Sequence, residues 1–204
     1  MKKFFIHCIN ISTTNKEDNM NSTKNYEELI RNYHGGDLDL SGCNLKHVVI
    51  DHVDGNLNLS RSTIGTLTIG WVSHELNMSN ADIKTITNPI DAESVIMYGA
   101  TIKKLPAHVY TNYFDISKSS ITKLNSDIRT NTLNIKNSKI ESWPKDLRVK
   151  RLIVDMKTAK NIPFSVIRYC ESVDFDGTIY SSLPEMSEFH FCSVNSEEGS
   201  FCAV

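Results

Sequence analysis

The amino-acid sequence predicts a β-rich repeat solenoid with parallel strands. An apolar pair, with one residue between its two members, recurs every 19 residues and is followed by further apolar residues at constant distances. We number each coil from the first residue of its pair, position 0, which is Leu38, Leu57, Leu76, Val95, Phe114, Leu133 and Leu152. Because the pattern repeats, the coils are expected to stack on one continuous core.

The positions within a coil predict its local structure. Apolar residues alternate at positions 0 and 2, which is typical of a short strand. Positions 7 and 10 are apolar and predict two further core contacts, and position 5 is mostly Cys, Ser or Ala, which suits a tight turn. Position 14 is apolar in six of seven coils, so we expect it to face the core. Its exception, His52, is interpreted as an interior histidine.

An amphipathic helix is predicted ahead of the first coil. Asn25 and Glu28 resemble a capping box, and Gly35 and Gly36 provide a stop. This helix would cover the open core and the unpaired strand edge of the first coil. The predicted organisation is a flexible leader at 1–24, the capping helix at 25–35, the solenoid at 36–192 and a C-terminal cap or tail at 193–204. A helical turn is expected within Phe164–Cys170.

The repeat resembles the leucine-rich repeat family. Two stretches carry the resemblance, Leu38-Asp39-Leu40-Ser41-Gly42-Cys43-Asn44-Leu45 and Leu133-Asn134-Ile135-Lys136-Asn137-Ser138-Lys139-Ile140. Leu-Pro and similar steps resemble those of the short repeats in bacterial effector proteins; they are Leu105-Pro106, Trp143-Pro144, Ile162-Pro163 and Leu183-Pro184. The resemblance implies a right-handed solenoid. Since a coil of 19 residues is short for that family, a three-sided parallel β-helix is the alternative fold.

Composition limits the compartment and the partners. A formal net charge of -2 indicates no bulk attraction to nucleic acid or to an anionic membrane. Five cysteines, an odd number without paired spacing, favour a reducing compartment over a disulfide framework. Frequent Asn, Lys and Ile are typical of an AT-rich genome, so we expect a phage or bacterial protein in the cytoplasm of the bacterium or of an infected host cell.

Candidate partner-binding residues lie on the strand positions that point away from the core. Most of these positions carry Ser or Asn, which solvate a sheet more often than they bind a ligand. Ile96, Tyr98 and Tyr113 interrupt those polar rows in two adjacent coils. With Asp115 and Ile153 they are the predicted contacts for another protein.

A second cluster lies near the C-terminus, where Asp174, His190 and Cys192 share outward positions. A thiol, a base and an orienting carboxylate are the groups that nucleophilic catalysis needs. His190 and Cys192 alternate along one strand, however, and would stand about 7 Å apart on an open face. We therefore predict no catalytic residues, and a small hydrolase or transferase at this corner is the alternative.

Other site types lack support in the sequence. It contains no phosphate-binding loop, no dinucleotide fingerprint and no paired metal-ligand motif, so neither a cofactor nor a metal is expected. Basic residues show no clustering with aromatic residues along one row, which argues against nucleic-acid binding. The predicted function is a non-enzymatic protein-protein interaction module that inhibits or redirects a host or defence protein.

Overall fold

The computed structural model describes residues 26–124, 127–144 and 147–181. Within these ranges the helices are α1 (Tyr26–Arg31), α2 (Met156–Ala159) and α3 (Phe164–Ile167). The strands are β1 (Leu38–Asp39), β2 (Asn44–Val53), β3 (Leu57–Asn58), β4 (Thr63–Asn77), β5 (Asp82–Ile86), β6 (Ile90–Ile96), β7 (Thr101–Ile102), β8 (His108–Asp115), β9 (Asp127–Asn134), β10 (Arg148–Val154), β11 (Ser172–Phe175) and β12 (Thr178–Tyr180). They belong to one sheet of 12 strands.

Position 0 of each coil pairs with position 0 of the next coil, which confirms the predicted parallel β-solenoid. This first ladder joins Leu38, Leu57, Leu76, Val95, Phe114, Leu133, Leu152 and Val173 in that order. The residues at position 2 are fully buried in all seven coils, namely Leu40, Leu59, Met78, Met97, Ile116, Ile135 and Val154. Stacking identical positions therefore produces one continuous apolar core.

Among the described residues, a second ladder of strands covers the first four coils, and a single parallel bridge, Lys123 with Ser142, joins coils five and six. The second ladder joins Leu45, Ile64, Ile83 and Ile102 at position 7 through β2, β4, β5 and β7. Later coils carry Pro106, Pro144 and Pro163 at position 11, where the first three have Val49, Thr68 and Thr87. Because proline has no N–H to donate, it disfavours continued strand pairing there. The first four coils thus pair through two ladders, whereas the later coils pair mainly through the first ladder.

Each of the first six coils turns sharply after its core strand. The N–H at position 5 donates to the carbonyl oxygen at position 2 over 3.0–3.3 Å. Between them, position 4 has a positive φ in every case, from 55° to 71°; these residues are Gly42, Arg61, Asn80, Gly99, Lys118 and Asn137. Position 5 is buried in the same six coils, which confirms that small residues are needed under the turn.

Helix α1 packs on the first coils. Ile30 is 1% exposed and belongs to the core. The Tyr26 hydroxyl donates to the Ser41 carbonyl oxygen over 2.8 Å. Tyr33 accepts from the Asp54 N–H over 2.9 Å. The helix and the residues just after it are thus held on the first coil by an apolar residue and two tyrosine hydroxyls.

The expectation that position 14 always faces the core is wrong for the first two coils. His52 and Trp71 point outward and stack with ring centroids 5.2 Å apart, and Trp71 is 46% exposed. Val53 and Val72 are buried in their place. The pairing register shifts between Val72 and Glu75, and a shift of one residue exchanges the two faces of a strand. From Ile90 onward, position 14 is buried as expected.

The last described coil departs from the 19-residue period. Helices α2 and α3 replace the turn and the return strand, and α3 confirms the helical turn expected within Phe164–Cys170. Strand β12 then pairs antiparallel with β11, Val173 lying opposite Tyr180. The predicted leader, the strand at Phe189–Phe191 and the C-terminal cap or tail lie outside the described residues.

Candidate binding face

Side chains at positions -1, 1 and 3 of the first ladder form a surface that we call the outward face. The alternation of a strand places them opposite the buried side chains at positions 0 and 2. Position 1 is exposed or half-buried from Asp39 to Ile153. The outward face is therefore a regular surface that the repeat leaves available for a ligand.

Most side chains at position 1 stabilise the fold. In five coils the Oδ1 atom of an Asn or Asp accepts the backbone N–H at position 3, over 2.8–3.2 Å. These side chains are Asp39, Asn58, Asn77, Asp115 and Asn134. Such a bond stabilises the chain where it leaves the strand for the turn. The polar row is thus explained by local structure.

Ile96 interrupts this row in the fourth coil. Its side chain has no acceptor, so it cannot form the bond that Asn77 and Asp115 form in the coils on either side. It is half-buried on the outward face, and the Cα atoms of Ile96 and Asp115 are register partners. An apolar residue thus stands where five other coils place a structural acceptor.

Tyr98 follows Ile96 at position 3 and is 37% exposed. Lys118 of the next coil donates from Nζ to the Tyr98 hydroxyl oxygen over 2.7 Å. The same Nζ lies 5.0 Å from the ring centroid. One contact with a cation therefore orients the ring beside Ile96 while leaving it accessible.

Tyr113 completes the group from position -1 of the next coil. It pairs with Ser94, two residues before Ile96 on the adjacent strand, so its ring is a diagonal neighbour of Ile96. Burial raises the pKa of the Tyr113 hydroxyl. The group is a hydrogen-bond donor at neutral pH. We call Ile96, Tyr98 and Tyr113 the apolar patch.

The other two predicted contacts have different surroundings. Asp115 is occupied within the chain, since it accepts from Ser117 N at 2.8 Å and from Asn134 Nδ2 at 3.0 Å. Ile153 lies on β10, beyond Asn134 on β9, so it is two strands away from Asp115. The structure thus brings together three of the five predicted residues as an accessible cluster, beside a structural carboxylate.

The C-terminal corner places its described carboxylates in structural roles. Asp155 caps α2 by accepting the Thr158 N–H over 2.8 Å, and it also accepts the Asn137 N–H over 2.6 Å. Asp174 accepts from Arg151 Nη2 over 2.5 Å and from Gly177 N over 3.0 Å. Burial acts to raise the pKa of Asp174, but these two hydrogen bonds outweigh it and lower the pKa. His190 and Cys192 lie outside the described residues.

Sequence reasoning missed a row of aromatic and basic side chains at position 15. Tyr110, Arg129 and Arg148 are successive register partners there. The statement that basic and aromatic residues share no row is therefore wrong. These three residues are 19 apart in the sequence, which indicates a shared row. Position 15 carries buried Val53 and Val72 in the first two coils, however, so the row does not extend through all coils.

Asp127 lies beside this row and has three side-chain partners. Its Oδ2 is 2.7 Å from His108 Nδ1 and 2.9 Å from the Tyr110 hydroxyl, and Arg129 Nε donates to Oδ1 over 3.0 Å. The hydrogen bonds with His108 and Tyr110 hold the pKa of Asp127 below its usual range. Both carboxylate oxygens of Asp127 thus take part in hydrogen bonds within the chain.

Cys43 and Cys170 are buried cysteines, and burial raises the pKa of Cys170 to about 12, which suppresses its thiolate. Residues 26–124, 127–144 and 147–181 hold no group of three or more His, Cys, Asp or Glu that could bind a metal. In the same ranges, each helix is too short or too polar to cross a bilayer.

No protein-family model, curated protein or solved structure matches the chain.

Proposed function

We propose that the chain is a non-enzymatic protein-binding module whose principal contact is the apolar patch. The observation that carries the proposal is Ile96, which replaces the Asn or Asp that five other coils use to hold the turn. A position that gives up a repeated structural bond for an exposed apolar group is a candidate for function.

The chemistry of the apolar patch suits a protein partner. Tyrosine and isoleucine side chains bury large apolar areas, and the tyrosine hydroxyls add hydrogen bonds at the edge of the contact. The flanking rows of Ser and Asn provide a polar rim, as protein interfaces commonly have. The Asn-, Lys- and Ile-rich composition, which is typical of an AT-rich genome, supports a bacterial or phage protein with a partner among host or defence proteins.

The sharpest test exchanges the apolar patch for residues that other coils carry at the same positions. In the triple variant Ile96→Asn, Tyr98→Ser and Tyr113→Thr, each new residue has a precedent, in Asn77, Ser79 and Thr132. The fold should therefore survive, and the melting temperature should remain unchanged or rise. Immobilised wild-type protein should retain a specific protein from lysate of the source organism, and the triple variant should not.

The matched control is Ile153→Asn, which makes the same exchange at position 1 three coils away. It should leave the retained protein unchanged, because Ile153 lies outside the apolar patch. Retention of the same protein by the triple variant would overturn the assignment of the apolar patch. Loss of retention in the control alone would move the contact to the C-terminal end of the outward face.

A further inference from the structure

An open groove crosses coils four to seven along the strand segments that precede the outward face. Its volume is about 740 Å³, and its walls include Arg129, Arg148, Lys150, Tyr169 and Glu171. We call it the basic groove. The lining cations outnumber the lining carboxylates, Asp127 and Glu171.

The repeat itself builds the basic groove by stacking cations. The Cα atoms of Arg129 and Arg148 are register partners, which puts like charges opposite each other on neighbouring parallel strands. Lys150 follows two residues later on the same side of β10. Like charges in directly opposed positions destabilise a sheet unless another group compensates them. Asp127 compensates Arg129 over 3.0 Å.

Arg148 and Lys150 have no such compensation among the described residues. No described carboxylate lies within 4.0 Å of either cationic group. Both side chains are exposed. Two neighbouring cations in a concave surface attract an anionic ligand more strongly than two isolated surface cations do.

Guanidinium groups lie close to the Tyr169 ring, which lines the basic groove, and to the neighbouring Tyr110 ring. Arg168 lies 4.6 Å and Arg148 lies 5.9 Å from the centroid of the Tyr169 ring. Arg129 lies 5.2 Å from the centroid of Tyr110. An arginine stacked in this way keeps the edge of its guanidinium available for a carboxylate, while the ring is less available for stacking on a base. This arrangement favours a peptide carboxylate over a nucleic-acid strand.

The wall of the basic groove also offers side-chain amides. Asn131 Nδ2 donates to Asn112 Oδ1 over 3.0 Å, so the two amides form a ladder across neighbouring strands. Their remaining donors and acceptors can bond with an extended peptide backbone.

We propose that the basic groove binds an extended acidic segment of a protein partner, with carboxylates at Arg148 and Lys150. None of the lining residues belongs to the apolar patch, and the proposal does not depend on the proposed role of that patch.

The test uses the full chain and a fluorescein-labelled octapeptide of glutamate, with binding followed by fluorescence anisotropy at low salt. A single-stranded oligothymidylate of similar charge is the competing probe. The wild-type protein should bind the peptide more tightly than the oligonucleotide, and added salt should weaken binding. Arg148→Glu with Lys150→Glu should weaken peptide binding by about tenfold or more.

The matched control is Lys84→Glu with Lys103→Glu, which makes the same charge change at two exposed lysines on another side of the solenoid. It should weaken peptide binding much less than the reversal in the basic groove does. Arg148→Gln with Lys150→Gln, checked by circular dichroism, replaces the reversal if that variant fails to fold. Absence of peptide binding, equal weakening in the control, or tighter binding of the oligonucleotide would each overturn the proposal.

Discussion

Thr158 Oγ1 lies 3.2 Å from the carbonyl oxygen of Ile135 and 2.9 Å from Asp155 Oδ1, and its single hydroxyl hydrogen is shared between these two acceptors. In the second and fifth coils the equivalent carbonyl accepts from the serine at position 5, Ser62 at 2.6 Å and Ser119 at 2.7 Å. Ser138 occupies position 5 of the sixth coil, but its buried hydroxyl has no hydrogen-bond partner among the described residues. Thr158 Oγ1 therefore lies beside the acceptor that a serine uses elsewhere in the repeat.

Replacing Ser138 and Ser62 by alanine should give different outcomes. Ser138→Ala should leave the free energy of unfolding unchanged or raise it by up to about 1 kcal/mol, because it removes an unsatisfied buried group. Ser62→Ala should lower it by about 0.5 to 1.5 kcal/mol, since a made hydrogen bond is lost. Alanine fits the position, as Ala81 and Ala100 show. Urea titrations of both variants measure the free energy of unfolding. A greater loss of stability for Ser138→Ala than for Ser62→Ala would contradict this account.

Arg61 carries backbone strain that can be relieved. Its φ is 57°, in the left-handed region that costs an ordinary residue about 1–2 kcal/mol, whereas four of the five other coils with this turn place Gly or Asn there and the fifth places Lys118. Arg61→Asn should therefore raise the free energy of unfolding by about 0.5 to 1 kcal/mol. The reciprocal change, Asn80→Arg, should lower it, and thermal melts of the two variants should shift in opposite directions. Shifts of the same sign would show that φ does not decide the preference at position 4.

Much of the fold could be predicted because apolar residues at positions 0, 2 and 7 keep their period through the coils. The failure at position 14 has a physical cause. Trp71 is apolar and lies on the predicted position, but a register shift near Val72 exchanges the two faces of the strand. Such a shift leaves the spacing of apolar residues along the sequence almost unchanged, so the hydrophobic pattern alone does not reveal it.

The outward face could be predicted in outline but not in its chemistry. Ile96 stood out because its neighbours in the row are polar. The role of Asp115 did not, because an acceptor that stabilises its own turn has the same sequence appearance as one that binds a partner. The basic groove could not be predicted from the repeat, because Tyr169 belongs to a coil in which helices replace the regular spacing.

Stability should depend on pH through Asp174. Its pKa is lowered in the folded protein, so its charge stabilises the fold above the unfolded pKa of about 3.9. That contribution should be lost as the pH falls through the lower, folded value. Asp174→Asn retains an oxygen for Gly177 N but removes the charge that pairs with Arg151. It should cost about 1 kcal/mol at pH 7, because half-exposed Arg151 weakens the pair through solvent screening.

The measurement is a urea titration of wild type and Asp174→Asn at pH 7 and at pH 2. The difference between the two proteins should shrink as the pH falls toward 2, because the wild-type carboxyl loses its charge as the pH passes through its lowered, folded pKa. Asp51→Asn, at an exposed position, controls for the loss of one surface charge. A difference that stays constant from pH 7 to pH 2 would show that Asp174 does not act through its charge.

The inward and outward assignment of the first ladder can be tested with two isoleucines. Ile116 is 0% exposed at position 2, where Met97 and Ile135 of the neighbouring coils are also fully buried. Ile153 lies at position 1 and is half-buried on the outward face. Ile116→Ala should lower the free energy of unfolding by about 2 to 5 kcal/mol, because the surrounding coils cannot close the resulting cavity. Ile153→Ala should cost less than about 1 kcal/mol, since water fills the space that its side chain leaves. Both variants remove the same atoms, so a difference measured by urea titration reports the environment of the side chain. The reverse order would place the strands one residue out of register.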